Sequence, residues 1–143
     1  MISVTRKYGF SASHRLHVDG LSESENDRIF GKCNNPYGHG HNYEIFVTAR
    51  GPVDGESGLA VDTQKLDRLV GETVLSKFHL KNMNTEIAAF QTAVPTTENV
   101  GIEIGRMIRD GWHEAFPGSW PVFEKVRIYE TERNIFEVTN EKA

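Results

Sequence analysis

A chain of 143 residues suits one domain with one sizeable core, and 38% hydrophobic with 25% charged residues is an ordinary globular balance. The net charge of −4 and the scattered Lys and Arg residues argue against nucleic acid as partner, so an anionic ligand must be met by a local patch. The lone cysteine, Cys33, cannot close an internal disulfide, and no apolar run reaches the ~18 residues of a membrane span or the pattern of a signal peptide; a soluble cytoplasmic protein with no membrane partner is expected.

Taken in chain order, residues 2–12 alternate through Ile2, Val4, Tyr8 and Phe10, the period of a half-buried strand. Residues 15–35 lose periodicity and read as a long polar loop. Residues 43–50 alternate again, with Tyr43, Ile45, Val47 and Ala49 on one face. The Gly- and Pro-rich string GPVDGESG marks a turn, and Gly58–Val61 reads as a short strand pairing back. Asp62 or Thr63 can cap a helix whose buried positions are Leu66, Leu69, Val70, Val74 and Phe78. Residues 79–95 are irregular. Pro95-Thr96-Thr97-Glu98 starts a second helix, with Val100, Ile104, Met107 and Ile108 as its stripe and Pro117-Gly118 beyond its end. Val126, Ile128, Ile135, Phe136 and Val138 form a final hairpin around TERN. The order predicts an α+β domain over residues 1–143, an antiparallel sheet with the helices on one face.

The informative segment is CNNPYGHGHNY, residues 33–43. In an extended chain His39 and His41, two apart, project to the same side, and Gly38 and Gly40 remove bulk around them. If the first strand pairs with the 43–50 strand, His14 reaches the same point. Three imidazoles with one position open are the usual form of a catalytic zinc site, and the paired cysteines of a closed structural site are absent. Hydrogen-bonded histidines on a surface turn are the plainer alternative for an isolated H-x-H. His17 is a competing ligand better read as a bystander. Cys33 lies six residues before His39. A metal ion and Lys32 nearby would favour its thiolate, suiting it to act as a base or nucleophile, and Asn34, Asn35 and Pro36 argue that the segment is exposed.

At these residues the sequence resembles the 6-pyruvoyltetrahydropterin synthase and 6-carboxytetrahydropterin synthase family. The matching pieces are FSASHRL (10–16), GKCNNPYGHGHNY (31–43), GLAVD (58–62), PTTEN (95–99) and RIYETERN (127–134). The resemblance implies a T-fold, a four-stranded antiparallel sheet with two helices packed on one face, assembled as a homohexamer of two stacked trimers. It implies that His14, His39 and His41 bind Zn²⁺, that Cys33 is catalytic, and that Glu130 anchors the pterin ring by accepting two parallel hydrogen bonds. Thr96, Thr97 and Glu98 match a second pterin-contacting segment. The reaction implied is conversion of 7,8-dihydroneopterin triphosphate to 6-pyruvoyltetrahydropterin, with Cys33 carrying a proton between ring and side chain and triphosphate eliminated. Arg15, Arg28 and Lys32 are candidates to meet the triphosphate.

Five residues between Cys33 and His39 favour the pyruvoyl type; the carboxy synthases of the queuosine route usually have three. The sequence departs from the family after the first helix. Where an Asp-His pair is expected, KFHLKNMN (77–84) places His79 and Leu80. A shift of the proton relay onto His79 is the preferred expectation, since a one-residue displacement is easily absorbed in an irregular segment. A pterin-binding member with impaired turnover is the alternative. A zinc hydrolase of unrelated substrate would leave Cys33 and Glu130 without roles.

Overall fold

The structure, a computed structural model, describes residues 1–141. Alternating side chains build two long strands, β1 (Ile2–His14) and β2 (His39–Gly51), antiparallel from Ile2 opposite Gly51 to His14 opposite His39. β4 (Val122–Tyr129) pairs with the other edge of β2, and β5 (Ile135–Thr139) closes the hairpin. These four strands are antiparallel, as the sequence predicts. A fifth, β3 (Lys81–Asn82), adds a two-residue parallel pairing to the free edge of β1, giving the order β3-β1-β2-β4-β5. Two residues are too few to carry a period, and the four-stranded sheet implied by the resemblance gains this fifth strand.

One face of the sheet presents Phe10, Tyr43, Ile45, Val47, Val126 and Ile128, all buried. Against it pack α2 (Thr63–Val70) and α5 (Thr97–Ala115). Asp62 caps α2 by accepting the N–H groups of Gln64 and Lys65, and Thr96 caps α5 through the N–H of Asn99. Beyond Val70 the helix widens into a π turn over Gly71–Leu75 and ends in α3 (Ser76–Phe78). Leu66, Val70, Val74, Phe78, Val100, Ile104 and Ile108 fill the space between the layers, so the helical stripes read from spacing are the buried ones except at Met107, which is half-buried. The opposite face mixes ion pairs, Lys7 with Glu44 and Lys125 with Glu137, with the tilted rings of Phe46 and Tyr129.

Two expectations fail. Gly58–Val61 forms no strand: the N–H of Asp54 donates to the carbonyl of Leu59 and that of Gly58 to Asp54, a closed turn in which Gly58 holds φ 75°. The polar stretch 15–35 contains α1 (Glu23–Phe30) and a 3₁₀ turn, Gly31–Asn34. Ser22 caps α1, and its buried inward side chain is Asn26, whose amide donates to the carbonyls of Val18, Leu21 and Ser22. A helix anchored by an amide rather than an apolar stripe is invisible to hydrophobic periodicity. The short helix α4 (Met83–Glu86) follows β3.

Candidate active site

At the His39 end of the β1–β2 pair the apolar face of the sheet turns into imidazole. His14, in register with His39, and His41, one alternation further along β2, stand on the same side as Phe10 and Tyr43. Their rings are close and steeply inclined: His14 to His39 at 4.8 Å and 70°, His14 to His41 at 5.2 Å and 89°, His39 to His41 at 4.6 Å and 83°. Nε2 of His39 lies 2.8 Å from Nε2 of His41. Gly38 is required here, since φ is 73° and a Cβ would stand 3.1 Å from the carbonyl oxygen of His14. Gly40 instead faces the other side of the sheet and makes no room between the imidazoles.

His14 is fully buried, and its Nδ1 lies 2.9 Å from the carbonyl oxygen of Pro95. A carbonyl only accepts, so Nδ1 carries the proton and Nε2 keeps its lone pair. That Nε2 is buried without a partner. A lone pair fixed by a carbonyl behind the ring and aimed at two other imidazoles is the arrangement of a metal ligand. Burial holds His14 and His39 below the usual histidine range, and His41 adds to the effect on His39. Both are kept in the neutral, metal-binding form.

Two groups flank the imidazoles. Sγ of Cys33, on the 3₁₀ turn, lies 3.6 Å from Nε2 of His39. On the other side the carboxylate of Glu130 joins His14 and His41, all three ligand atoms within 4.8 Å of one another. Thr97 donates its hydroxyl to Glu130, and the N–H of Glu130 donates to the carbonyl of Asn134 at 3.1 Å. The residues at the start of α5 therefore hold two parts of the site, Pro95 behind His14 and Thr97 behind Glu130. Burial first, then the Glu130 charge, pushes the Cys33 thiol up; Lys32 does not lower it. Asn34, expected to be exposed, is buried.

Other sequence candidates fall elsewhere. Thr96 is occupied as the α5 cap, and Glu98 lines a groove between α5 and β5 beside Phe136. His17 turns away from the imidazoles to Asn34 and Asp19. Arg15 is engaged with Asn34. His79 is not among the groups that converge on the imidazoles. Its Nδ1 accepts the N–H of Ser11 at 3.2 Å, and the next N–H, of Leu80, donates to the carbonyl of Ser11 at 2.6 Å. Leu80 is exposed and holds φ 61°. Tyr43 was legible only as a strand hydrophobe, yet its hydroxyl lies 3.4 Å from Nδ1 of His14, and burial raises its pKa far above the ordinary phenol value. The Pro95 carbonyl, being backbone, has no sequence signal.

The family model for 6-pyruvoyl tetrahydropterin synthase matches residues 3–141. The chain belongs to this family. It is 41% identical over 132 residues to the 6-pyruvoyl tetrahydrobiopterin synthase of Poecilia reticulata, covering 92% of this chain and 86% of the relative. The human enzyme of that name is 40% identical over 92% of this chain and 87% of its own. Among solved structures, the 6-pyruvoyl tetrahydropterin synthase of Caenorhabditis elegans is 39% identical, with a TM-score of 0.86 over 98% of this chain and 96% of that one. The T-fold expected from the resemblance is therefore present, with the fifth short strand added at its edge.

Proposed function

We propose that the protein is a zinc-dependent lyase that converts 7,8-dihydroneopterin triphosphate to 6-pyruvoyltetrahydropterin and releases triphosphate. The observation that carries this reading is the convergence of His14, His39 and His41 with Cys33 on one side and Glu130 on the other. The relatives' names and the five-residue spacing from Cys33 to His39 support the pyruvoyl product. The donor set fits a metal ion: three imidazoles, with Nε2 of His14 buried and unpartnered, and no second cysteine to close the site. Imidazole donors suit Zn²⁺, which would supply Lewis-acid polarisation of the substrate side chain when bound.

The chain's own residues then divide the remaining work. Glu130, steadied by Thr97, accepts the paired N–H donors of the pterin ring and fixes its orientation. Cys33 takes a proton from the side-chain carbon next to the ring and returns it. Burial first, then the Glu130 charge, favours the protonated thiol, and a cation held nearby would shift it toward the thiolate that acts as the base. Thr96 and Glu98 are proposed as further substrate contacts, and His79 as the group that exchanges protons with solvent in place of the expected Asp-His pair. The active assembly is proposed to be a homohexamer of two trimers; among the described residues β3 and β5 are the edge strands of the sheet. The setting is proposed to be the cytoplasm, where a lone thiol stays reduced.

Incubating the zinc-loaded protein with dihydroneopterin triphosphate and weighing the products tests the assignment. A pyruvoyl product with triphosphate release is expected. A carboxy product with acetaldehyde would move the chain to the other branch, and tight binding without product would make it a pterin-binding member. Light scattering that returns a monomer would remove the hexamer.

A further inference from the structure

The turn that carries Cys33 has no apolar anchor of its own, yet it must hold one sulfur against one imidazole. What fixes it is polar and centres on the next residue. Asn34 is buried, and its amide Nδ2 lies 2.7 Å from Oδ1 of Asp27 on α1. A carboxylate only accepts, so this contact sets which end of the Asn34 side chain is nitrogen. Its Oδ1 then faces two donors from the chain just beyond β1, Nδ1 of His17 at 2.8 Å and the guanidinium of Arg15 at 3.3 Å. Nε of Arg15 also donates to the Asn34 carbonyl at 3.2 Å, and the N–H of Leu16 donates to the carbonyl of Cys33 at 2.6 Å. Arg15 is gripped from behind by Asn84, whose Oδ1 accepts its N–H at 2.7 Å and whose Nδ2 donates to its carbonyl at 3.0 Å.

From this geometry we infer that Asn34 is the positioning residue for Cys33, and that Arg15 and Asp27 serve the same frame. The frame ties the sulfur to the end of β1, the strand that also carries His14. The distance from thiol to imidazoles is then set by hydrogen bonds among Asp27, Asn34 and Arg15 rather than by packing. It follows that Arg15, an obvious cation for a triphosphate, is already spent within the protein and acts on turnover rather than on substrate affinity. The inference rests on the proposed function only for what Cys33 does; the frame itself is independent of substrate.

The test uses the full chain, whose single cysteine makes alkylation by iodoacetamide readable as one mass shift per molecule. Asn34→Asp sets a second carboxylate against Asp27; with each rate normalised to the variant's own thiolate fraction from a pH–rate profile, since an added carboxylate by itself disfavours the reactive thiolate, alkylation should speed roughly tenfold, the scale of a broken hydrogen-bond pair. Combining Asn34→Asp with Asp27→Asn lets amide and carboxylate trade places. The amide at 27 donates to the carboxylate at 34, whose oxygens still accept from Arg15 and His17. The double variant should melt cooperatively and alkylate within about threefold of the parent rate, a recovery that general loosening would not give. Arg15→Met, which keeps the stem and loses both bonds, should also speed alkylation, and should lower kcat with KM for the pterin triphosphate unchanged. If Asn34→Asp does not fold, the double variant and Arg15→Met decide the matter. Parent-like alkylation in a folded Asn34→Asp or Arg15→Met protein would overturn the inference, as would a double variant that fails to recover. A rise in KM for Arg15→Met would return that residue to the substrate. Alkylation needs no pterin, so a protein without turnover leaves this test standing.

Discussion

At the scale of single residues, the site is built from side chains whose protonation is fixed from behind. His14 is locked by Pro95 with its lone pair forward, and His79 is locked in the reverse sense. Its Nδ1 accepts the Ser11 N–H, so in the neutral ring Nε2 carries the proton. This gives the proposed relay a sharp test in two variants. His79→Asn can still accept from Ser11 but cannot pass a proton; it should keep the parent melting temperature while kcat falls about a hundredfold, within the range of a lost acid–base group. His79→Ala should lose that activity and some stability besides. Steady-state kinetics beside thermal melts check both, and a His79→Asn protein with parent turnover would confine His79 to the edge of the sheet. The contrast also shows what could be read in advance. Histidine spacing on β2 is a matter of alternation and was legible. The proton-bearing nitrogen depends on a carbonyl or amide brought from another element and was not.

At the scale of elements, the fold follows from periodicity wherever an apolar face exists. β1, β2, β4, β5, α2 and α5 each show such a face in the sequence. α1 does not, because Asn26 anchors it with hydrogen bonds, and β3 is too short to have one. Packing between elements can be probed at Gly101, where a Cβ would stand 2.8 Å from Cγ2 of Val138 and 3.2 Å from Cδ1 of Ile128. Gly101→Ala gains about 1 kcal/mol of helix propensity against an overpacking cost of about 1–3 kcal/mol. The expected net effect is a loss of about 1 kcal/mol in urea unfolding. A second contact joins β1 to α2: Arg6 grips Asp67 through both carboxylate oxygens, and the Tyr8 hydroxyl donates to Asp67 at 2.7 Å. Burial, then the bond to Asp67, raises the Tyr8 pKa well above its ordinary value. A raised folded-state pKa gives stability that is complete below the unfolded value, about 10, and is lost as pH climbs above it. Urea midpoints should therefore hold through pH 9 and fall beyond about 10, and Tyr8→Phe should flatten part of that decline while Tyr43 retains the rest.

At the scale of the whole molecule, the described chain is one hydrophobic layer between a sheet and two helices, with the proposed metal site at one end of the two longest strands. A cation held by β1 and β2 should therefore stabilise the entire fold. Free Zn²⁺ at a hundred times its Kd should add about 2.7 kcal/mol, seen as a melting temperature that rises with zinc and drops on chelation. His14→Ala should abolish that dependence. No helix of the described residues is long and apolar enough to cross a membrane. The register of β1 against β2 gives the ion a further meaning. Thirteen residue pairs run from Ile2–Gly51 to His14–His39, and the histidines proposed as ligands sit at the last of them and one alternation back. A slip by one residue would turn His14 to the opposite face from His39 and His41. A slip by two would keep the face but move His14 by about 7 Å along the strand, past the reach of a single ion. If the site holds zinc as proposed, only a chain that has paired its longest strands correctly would retain it, and metal occupancy in a newly made population would work as a checksum on folding.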